Sequence, residues 1–194
     1  MGRIVVSEFV SLDSVMEDPG GAEGFRHGGW TFQFERGPEG DAFKLDELHA
    51  ADALLLGRVT YEGFAQAWPS INDPDGFADK MNSMRKYVVS STLRDEDASW
   101  NNTVVLRGDV AAEVAELRTR PGGDVLVAGS ARLATALVAH GLVDEFRLMV
   151  FPIVLGAGRR LFGDAPEASR LTLTSSTTTA AGILLLTYEP AREG

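Results

Sequence analysis

The sequence predicts an α/β fold in which a mixed, mainly parallel sheet lies between helical layers and ends in an antiparallel C-terminal hairpin. Three observations predict it. Short runs of β-branched and apolar residues recur before Glu145, each closed by glycine, serine or aspartate, as the buried strands of a parallel sheet are. Between these runs, apolar residues fall at helical spacing. From Glu145 onward the helical spacing stops and alternation replaces it, so the last strands should pair as neighbours in a hairpin. The chain has 194 residues, 44% of them hydrophobic. That is enough to bury one core, and with no repeat or linker the whole of 1–194 is expected to form a single domain.

In chain order, Ile4 to Val10 is apolar at nearly every position and should be a central strand covered on both faces. Ser11 to Gly40 is rich in glycine and proline around Trp30, Phe32 and Phe34, which suits a lid or binding wall. Asp41 can cap a helix that turns Phe43, Leu45, Leu48 and Ala51 inward, and Ala53 to Leu56 is a second buried strand. Thr60 can cap the next helix, bearing Phe64 and Trp68, and Asp73-Pro74 resembles a further helix start. Tyr87 to Ser90 and Thr103 to Leu106 read as strands, and Asp109 caps a helix with Val110, Val114 and Leu117 inward. Asp124 to Ala128 is a strand, followed through Gly129-Ser130 by a helix with Leu133 and Leu137 inward and Gly141 at its end. Phe146 to Ile153, Leu171 to Thr177 and Ile183 to Tyr188 are the closing strands.

Composition removes whole classes of function. There are 28 acidic against 18 Lys and Arg residues, a formal net charge of -10, which repels nucleic acid and anionic membranes, so neither is an expected partner. No apolar run approaches a membrane span, and the N-terminal residues run into a strand pattern rather than a cleavable signal, which places the expected location in the cytoplasm. With no cysteine and three histidines, thiolate chemistry is excluded and no metal site is expected. Chemistry must come from oxygen groups, arginines, backbone amides or a cofactor.

Three strand ends carry small or hydroxylic residues where an open α/β sheet presents its ligand crevice: Gly57-Arg58-Val59-Thr60, Ser90-Ser91-Thr92 and Gly129-Ser130-Ala131. Glycine lets the backbone approach a phosphate, and the free amides and dipole of a following helix favour its charge. Two such starts suit a pyrophosphate. Arg58 adds a permanent positive charge, and Ser90, Ser91 and Thr92 offer hydroxyls to a ribose or its phosphate. Each piece also has a plain reading as a tight turn, a helix cap or a surface ion pair. Neither common nucleotide fingerprint is present, because Gly156-Ala157-Gly158-Arg159-Arg160-Leu161 lacks the third glycine of G-x-G-x-x-G and no P-loop occurs.

A longer set of residues carries a family resemblance. It comprises Phe9-Val10-Ser11-Leu12-Asp13, Ala51 to Glu62, Lys86 to Leu93, Val127 to Leu133, Gly141 to Glu145 and Pro152 to Phe162, in that order and across almost the whole chain. In these segments the chain resembles the dihydrofolate reductase superfamily, in the branch similar to the reductase domain of the bifunctional riboflavin-biosynthesis deaminase/reductase. The resemblance implies a dihydrofolate-reductase-like three-layer sandwich that binds NADPH. By analogy, Gly57, Arg58 and Thr60 hold one side of the cofactor phosphates, Ser90, Ser91 and Thr92 the adenosine ribose and its 2′-phosphate, and Gly129, Ser130, Ala131, Arg132 and Leu133 the pyrophosphate. It also places Ser11 to Asp13 beside the nicotinamide and implies a homodimer built on the antiparallel C-terminal end. The chain departs from many relatives in having Ser91 where they carry arginine, which removes a charge-assisted contact to a 2′-phosphate. It also has Ser14 and acidic residues after Asp13 where users of the phosphorylated riboflavin precursor carry glycine and a base.

The expected activity is therefore NADPH-dependent hydride transfer to a small heterocyclic, pteridine- or pyrimidine-like, or carbonyl substrate. The alternative is a non-catalytic nucleotide-binding homodimer with a relic reductase site. Asp13 is the candidate proton donor or orienter, and as a donor it needs a pKa raised by an apolar pocket; its plain reading is a turn-forming aspartate whose carboxylate caps nearby N–H groups. Trp30 and Phe64, with Phe32 and Trp68, are the candidate substrate walls.

Overall fold

A computed structural model describes residues 2–163 and 168–191. Eight strands form one sheet: β1 Ile4–Ser11, β2 Ala51–Gly57, β3 Arg85–Val89, β4 Thr103–Leu106, β5 Asp124–Ala128, β6 Glu145–Phe151, β7 Leu171–Thr178 and β8 Leu184–Pro190. Their order is β4-β3-β2-β5-β1-β6-β8-β7. Every pair from β4 across to β6 is parallel, while β8 pairs antiparallel with both β6 and β7. The predicted mixed sheet with a C-terminal hairpin is therefore observed, and β1 is interior as its unbroken apolar pattern required.

Helices α1 (Gly37–Ala50), α2 (Arg58–Ala67), α3 (Phe77–Ser83), α4 (Val110–Thr119) and α5 (Ala131–Ala139) connect the strands. Leu48, Tyr61 and Met81 from α1, α2 and α3 pack on one face of the sheet against Val5, Leu54, Leu56 and Val88. Val114 and Leu117 of α4 and Leu133, Ala134 and Leu137 of α5 pack on the other against Ile4, Val6, Leu55 and Val127. Odd and even positions of each strand thus serve opposite layers, the period of two that a doubly covered sheet imposes.

Asp109 caps α4 as expected, its carboxylate accepting from the Ala112 amide. Three other helix starts differ from the sequence reading. Helix α1 begins at Gly37 with Pro38 in its first turn rather than at Asp41, because proline supplies a helical φ without needing its amide bonded. Helix α2 is capped by Gly57, so Thr60 lies inside its first turn. Asp73 does accept from the Phe77 and Ala78 amides, but the helix itself starts at Phe77.

Two buried charged groups, Lys86 and Glu47, were invisible to apolar periodicity. Lys86 is fully buried on β3, its ammonium donating to the Asn82 carbonyl at 2.6 Å and lying 4.3 Å from the centre of the Trp100 ring. Burial lowers its pKa to about 8. Between α1 and the sheet, Glu47 accepts from the Ser7 hydroxyl at 2.8 Å, pairs with Lys44 and accepts from Arg147 Nε at 3.2 Å.

Candidate functional site

Parallel strands bring their C-terminal ends to one edge of the sheet, and all three predicted segments lie there. Gly57 ends β2, Ser90 follows β3, and Gly129 follows β5. The turns after β2 and β5 are tied directly. The Ser130 hydroxyl accepts from the Gly57 amide at 2.8 Å and donates to Thr60 Oγ1 at 2.8 Å. That tie needs two consecutive left-handed residues, Gly129 at φ 66° and Ser130 at φ 70°. A Cβ on Gly129 would meet Thr60 Cγ2 at 3.0 Å, so glycine is required by both backbone and space.

The tie has a chemical consequence. Ser130 and Thr60 spend their hydroxyls on each other, so neither α2 nor α5 carries a side-chain cap. The first amides of both helices therefore lack the intrahelical partners that later residues have. In the same chain α4 does carry a side-chain cap and α1 does not. Two uncapped helix starts side by side at a sheet edge make a donor set suited to a dianionic ligand.

The third segment is used differently. Ser90 is 9% exposed, and its hydroxyl accepts from the amides of Thr92 and Leu93, closing the turn. Ser91 and Thr92 are exposed beside it. Arg107, which follows β4, reaches this turn, with Nη2 donating to the Leu93 carbonyl and to Asp95 at 2.8 Å each. The sequence reading missed Arg107; its position one residue beyond a strand end was the available signal. Arg58 is half exposed and makes a loose 3.4 Å ion pair with Glu62, so its guanidinium is little committed within the fold. Arg132 is exposed in the first turn of α5.

Asp13 does not have the surroundings a general acid needs. Ser11 donates its hydroxyl to Oδ1 at 2.7 Å, and the Leu155 and Gly156 amides donate to the carboxylate at 3.1 and 2.9 Å. These bonds, that from Ser11 foremost, hold its pKa below the ordinary carboxylate value. The raised pKa expected of a proton donor is thus corrected: Asp13 is a charged clamp joining the end of β1 to the loop after β6. Because its folded pKa is depressed, the clamp contributes stability above the unfolded value near pH 4, and that contribution is lost as pH falls through the folded value. Asp13→Asn should accordingly speed hydrogen exchange at Leu155 and Gly156 at pH 7, with the difference from the parent protein closing as pH falls through the depressed folded value. Equal exchange at pH 7 would contradict the clamp.

The proposed walls also separate. Trp30 is fully buried, its indole donating to the Glu17 carbonyl at 2.9 Å and packing edge-on against Phe151. It is a core residue rather than an open wall, placed there because the 11–36 segment folds back on β6 and β8. Phe64 is partly buried and meets Trp68 edge-on. The apolar groups that do reach solvent at the strand ends are Leu12, Val59 and Val154, 63%, 54% and 65% exposed, together with Phe32 at 79%. Leu12 is joined to the β6 end by its amide donating to the Ile153 carbonyl. The larger of two clefts, of about 520 Å³ against about 400 Å³, lies elsewhere, among Ala65, Asn82, Trp100 and Asn101.

This architecture has known counterparts. Residues 3–185 match the model of the RibD C-terminal domain. The chain is 31% identical over 189 residues to the uncharacterized protein YyaP of Bacillus subtilis, covering 96% of this chain and 94% of that one. Among solved structures, a putative riboflavin biosynthesis protein from Shewanella sp. PV-4 superposes with a TM-score of 0.78 at 20% identity, covering 99% of this chain and 100% of that one. Dihydrofolate reductase from Enterococcus faecalis, complexed with NADP(H), superposes with a TM-score of 0.61 at 13% identity, covering 98% of each chain. The dihydrofolate-reductase-like sandwich expected from the sequence is therefore observed, and no helix among the described residues is long and apolar enough to cross a membrane. The chain belongs to the RibD C-terminal domain family.

Proposed function

We propose that this protein binds NADPH across the strand-end edge and reduces a small heterocyclic or carbonyl substrate. The single observation that carries the reading is the pair of uncapped helix starts, α2 and α5, locked together by Gly57, Thr60 and Ser130. A pyrophosphate fits that donor set: the amides of Arg58 to Thr60 would meet one side and those of Ala131 to Leu133 the other, with Arg58 and Arg132 supplying charge. Ser91 and Thr92 would face the adenosine ribose. The Enterococcus enzyme of the same fold is complexed with NADP(H), which agrees with this seat.

A bound reduced nicotinamide supplies the hydride. The chain's part is to hold the acceptor carbon in line and keep competing water away. Ser11, Leu12 and Asp13 end the strand that borders the Gly129 turn, and the charged Asp13 fixes that end against the loop after β6. We assign Asp13 an orienting role; the proton that balances hydride addition to C=O or C=N then comes from water at the open edge. Leu12, Val59 and Val154 provide apolar surface for a planar substrate. The homodimer belongs to the same proposal: β7 is an edge strand exposed along most of its length, with Leu173 half exposed, a surface that invites pairing.

The test is deuterium transfer. Cofactor labelled at one face of C4 should pass its label to product from only one of its two stereoisomers when a panel of carbonyl and C=N heterocycles is supplied. One observation favours the alternative, a nucleotide-binding protein without turnover: the carboxylate nearest the expected chemistry is already satisfied by three donors. Tight binding with no oxidation across the panel would establish that alternative. Arg58→Ala should weaken NADPH binding about threefold to tenfold, the loss of a solvent-exposed charged contact.

A further inference from the structure

Glu8 is a carboxyl in the middle of the central strand. Its residue is 5% exposed, and its Oε1 is the buried side-chain oxygen without a hydrogen-bond partner among the described residues. Buried polar atoms are almost always bonded, so an orphan calls for a reason. Along β1 the even positions Ile4, Val6 and Val10 face the α4 and α5 layer, and Glu8 shares their side of the strand. The register that pairs Ser7 with Ala128 brings Glu8 level with Gly129. The backbone amide of Gly129 bears on its carboxyl. This buried orphan therefore sits beneath the turn that ties the two helix starts.

We propose that Glu8 is a positioning residue of the nucleotide site: its carboxyl supports the Gly129–Ser130 turn from beneath, and an anion bound on that turn keeps a proton on it. The inference rests on the nucleotide reading above and deepens it. Burial pushes the Glu8 carboxyl up to about 8, with Lys44 and the Gly129 amide opposing and Glu47 adding to the rise. The charged groups on neighbouring elements are Lys44 and Glu47 on α1, Arg147 on β6, Arg132 on α5, and Arg159 and Arg160 after β6. Glu47 occupies Lys44 and Arg147, while Arg159 pairs with Glu17 and Glu23, and Arg160 binds the Asp13 carbonyl. None of them reaches Glu8 as a salt-bridge partner among the described residues. A phosphate arriving at Gly129 adds negative charge to a carboxyl that lacks a cation, so the neutral form is favoured further and binding takes up a proton.

Calorimetric titration of the intact protein with NADPH at pH 8.5, in two buffers of different ionisation enthalpy, reads that proton directly. At this pH the 2′-phosphate of the ligand, with a second pKa of about 6, is already fully ionised and contributes none. The expected result is uptake of a substantial fraction of one proton, and an affinity that falls above pH 8 by at most tenfold per pH unit. Glu8→Gln should lose the uptake and lose the pH slope. Lys86 titrates in the same range, and an uptake that survives in Glu8→Gln would assign the proton elsewhere and overturn the proposal. Binding with no uptake in the parent protein, a result that needs no variant, would overturn it while leaving the nucleotide reading intact. Absence of NADPH binding at every pH would remove both.

Discussion

Replacing Glu47 with glutamine should destabilise the protein by about 3 kcal/mol, as removal of one partner from a buried ionic group does. The Glu47 side chain is 2% exposed, and it faces Lys44 and Arg147, whose side chains are only 14% and 19% exposed. Ser7 donates to it while accepting from Lys44 Nζ at 2.7 Å. Without the carboxylate, Lys44 keeps the Ser7 hydroxyl, and Arg147 keeps the Phe43 carbonyl at 3.1 Å and Glu145 at 3.7 Å. The ring contacts, Lys44 5.0 Å from the Phe9 ring centre and Arg147 over Phe43 at 4.2 Å, add little, and Lys44 is left with no carboxylate within salt-bridge distance among the described residues. Urea unfolding followed by tryptophan fluorescence measures the loss, and 1 M salt should not restore it because the group is shielded from mobile ions. A change below 1 kcal/mol would show that the cations find water instead.

Gly129→Val should abolish most nucleotide affinity, by well over tenfold, while the protein still folds. The left-handed conformation costs a side-chain-bearing residue about 1–2 kcal/mol, and the new Cβ would press on Thr60 from 3.0 Å. The cheapest relief moves the turn away from Thr60, which breaks the Ser130 tie and separates the two donor sets. Gly141→Ala is the control: it too imposes a side chain at positive φ, 62°, but with open space around it and at the far end of α5. Gly129→Val should lose more stability than Gly141→Ala, which meets no close contact, and only Gly129→Val should lose NADPH. Equal affinity in the two would separate the turn from ligand binding.

Much of this was legible because parallel strands advertise themselves. The runs at Thr103–Leu106 and Asp124–Ala128 are observed with the predicted bounds; the second is interior and covered on both faces, which leaves it no choice but continuous apolar residues. The strand-end placement of Gly57, Ser90 and Gly129 followed from connectivity alone. What pattern reading could not show was how polar groups pair across the fold. Thr60 has the chemistry of a cap, yet its hydroxyl is taken by a serine seventy positions away. Trp30 sits in a glycine-rich stretch that reads as a wall, and only the tertiary fold-back over Phe151 buries it. Glu8 is a charge at a position that periodicity counts as interior, and Glu47 is buried although the helix pattern turned other positions inward. For Glu8 the signal was present, because a charged residue inside a strand predicted to be covered on both faces must be buried and must be accounted for.

The central claim, that the edge between α2 and α5 is a dinucleotide seat, is most directly tested by adding NADPH to isotopically labelled protein and following the backbone amide resonances. The account predicts saturable shifts concentrated at Gly57 to Thr60, at Ser91 and Thr92, and at Gly129 to Leu133. Shifts confined to the larger cleft around Asn82 and Trp100, or none at millimolar NADPH, would contradict it.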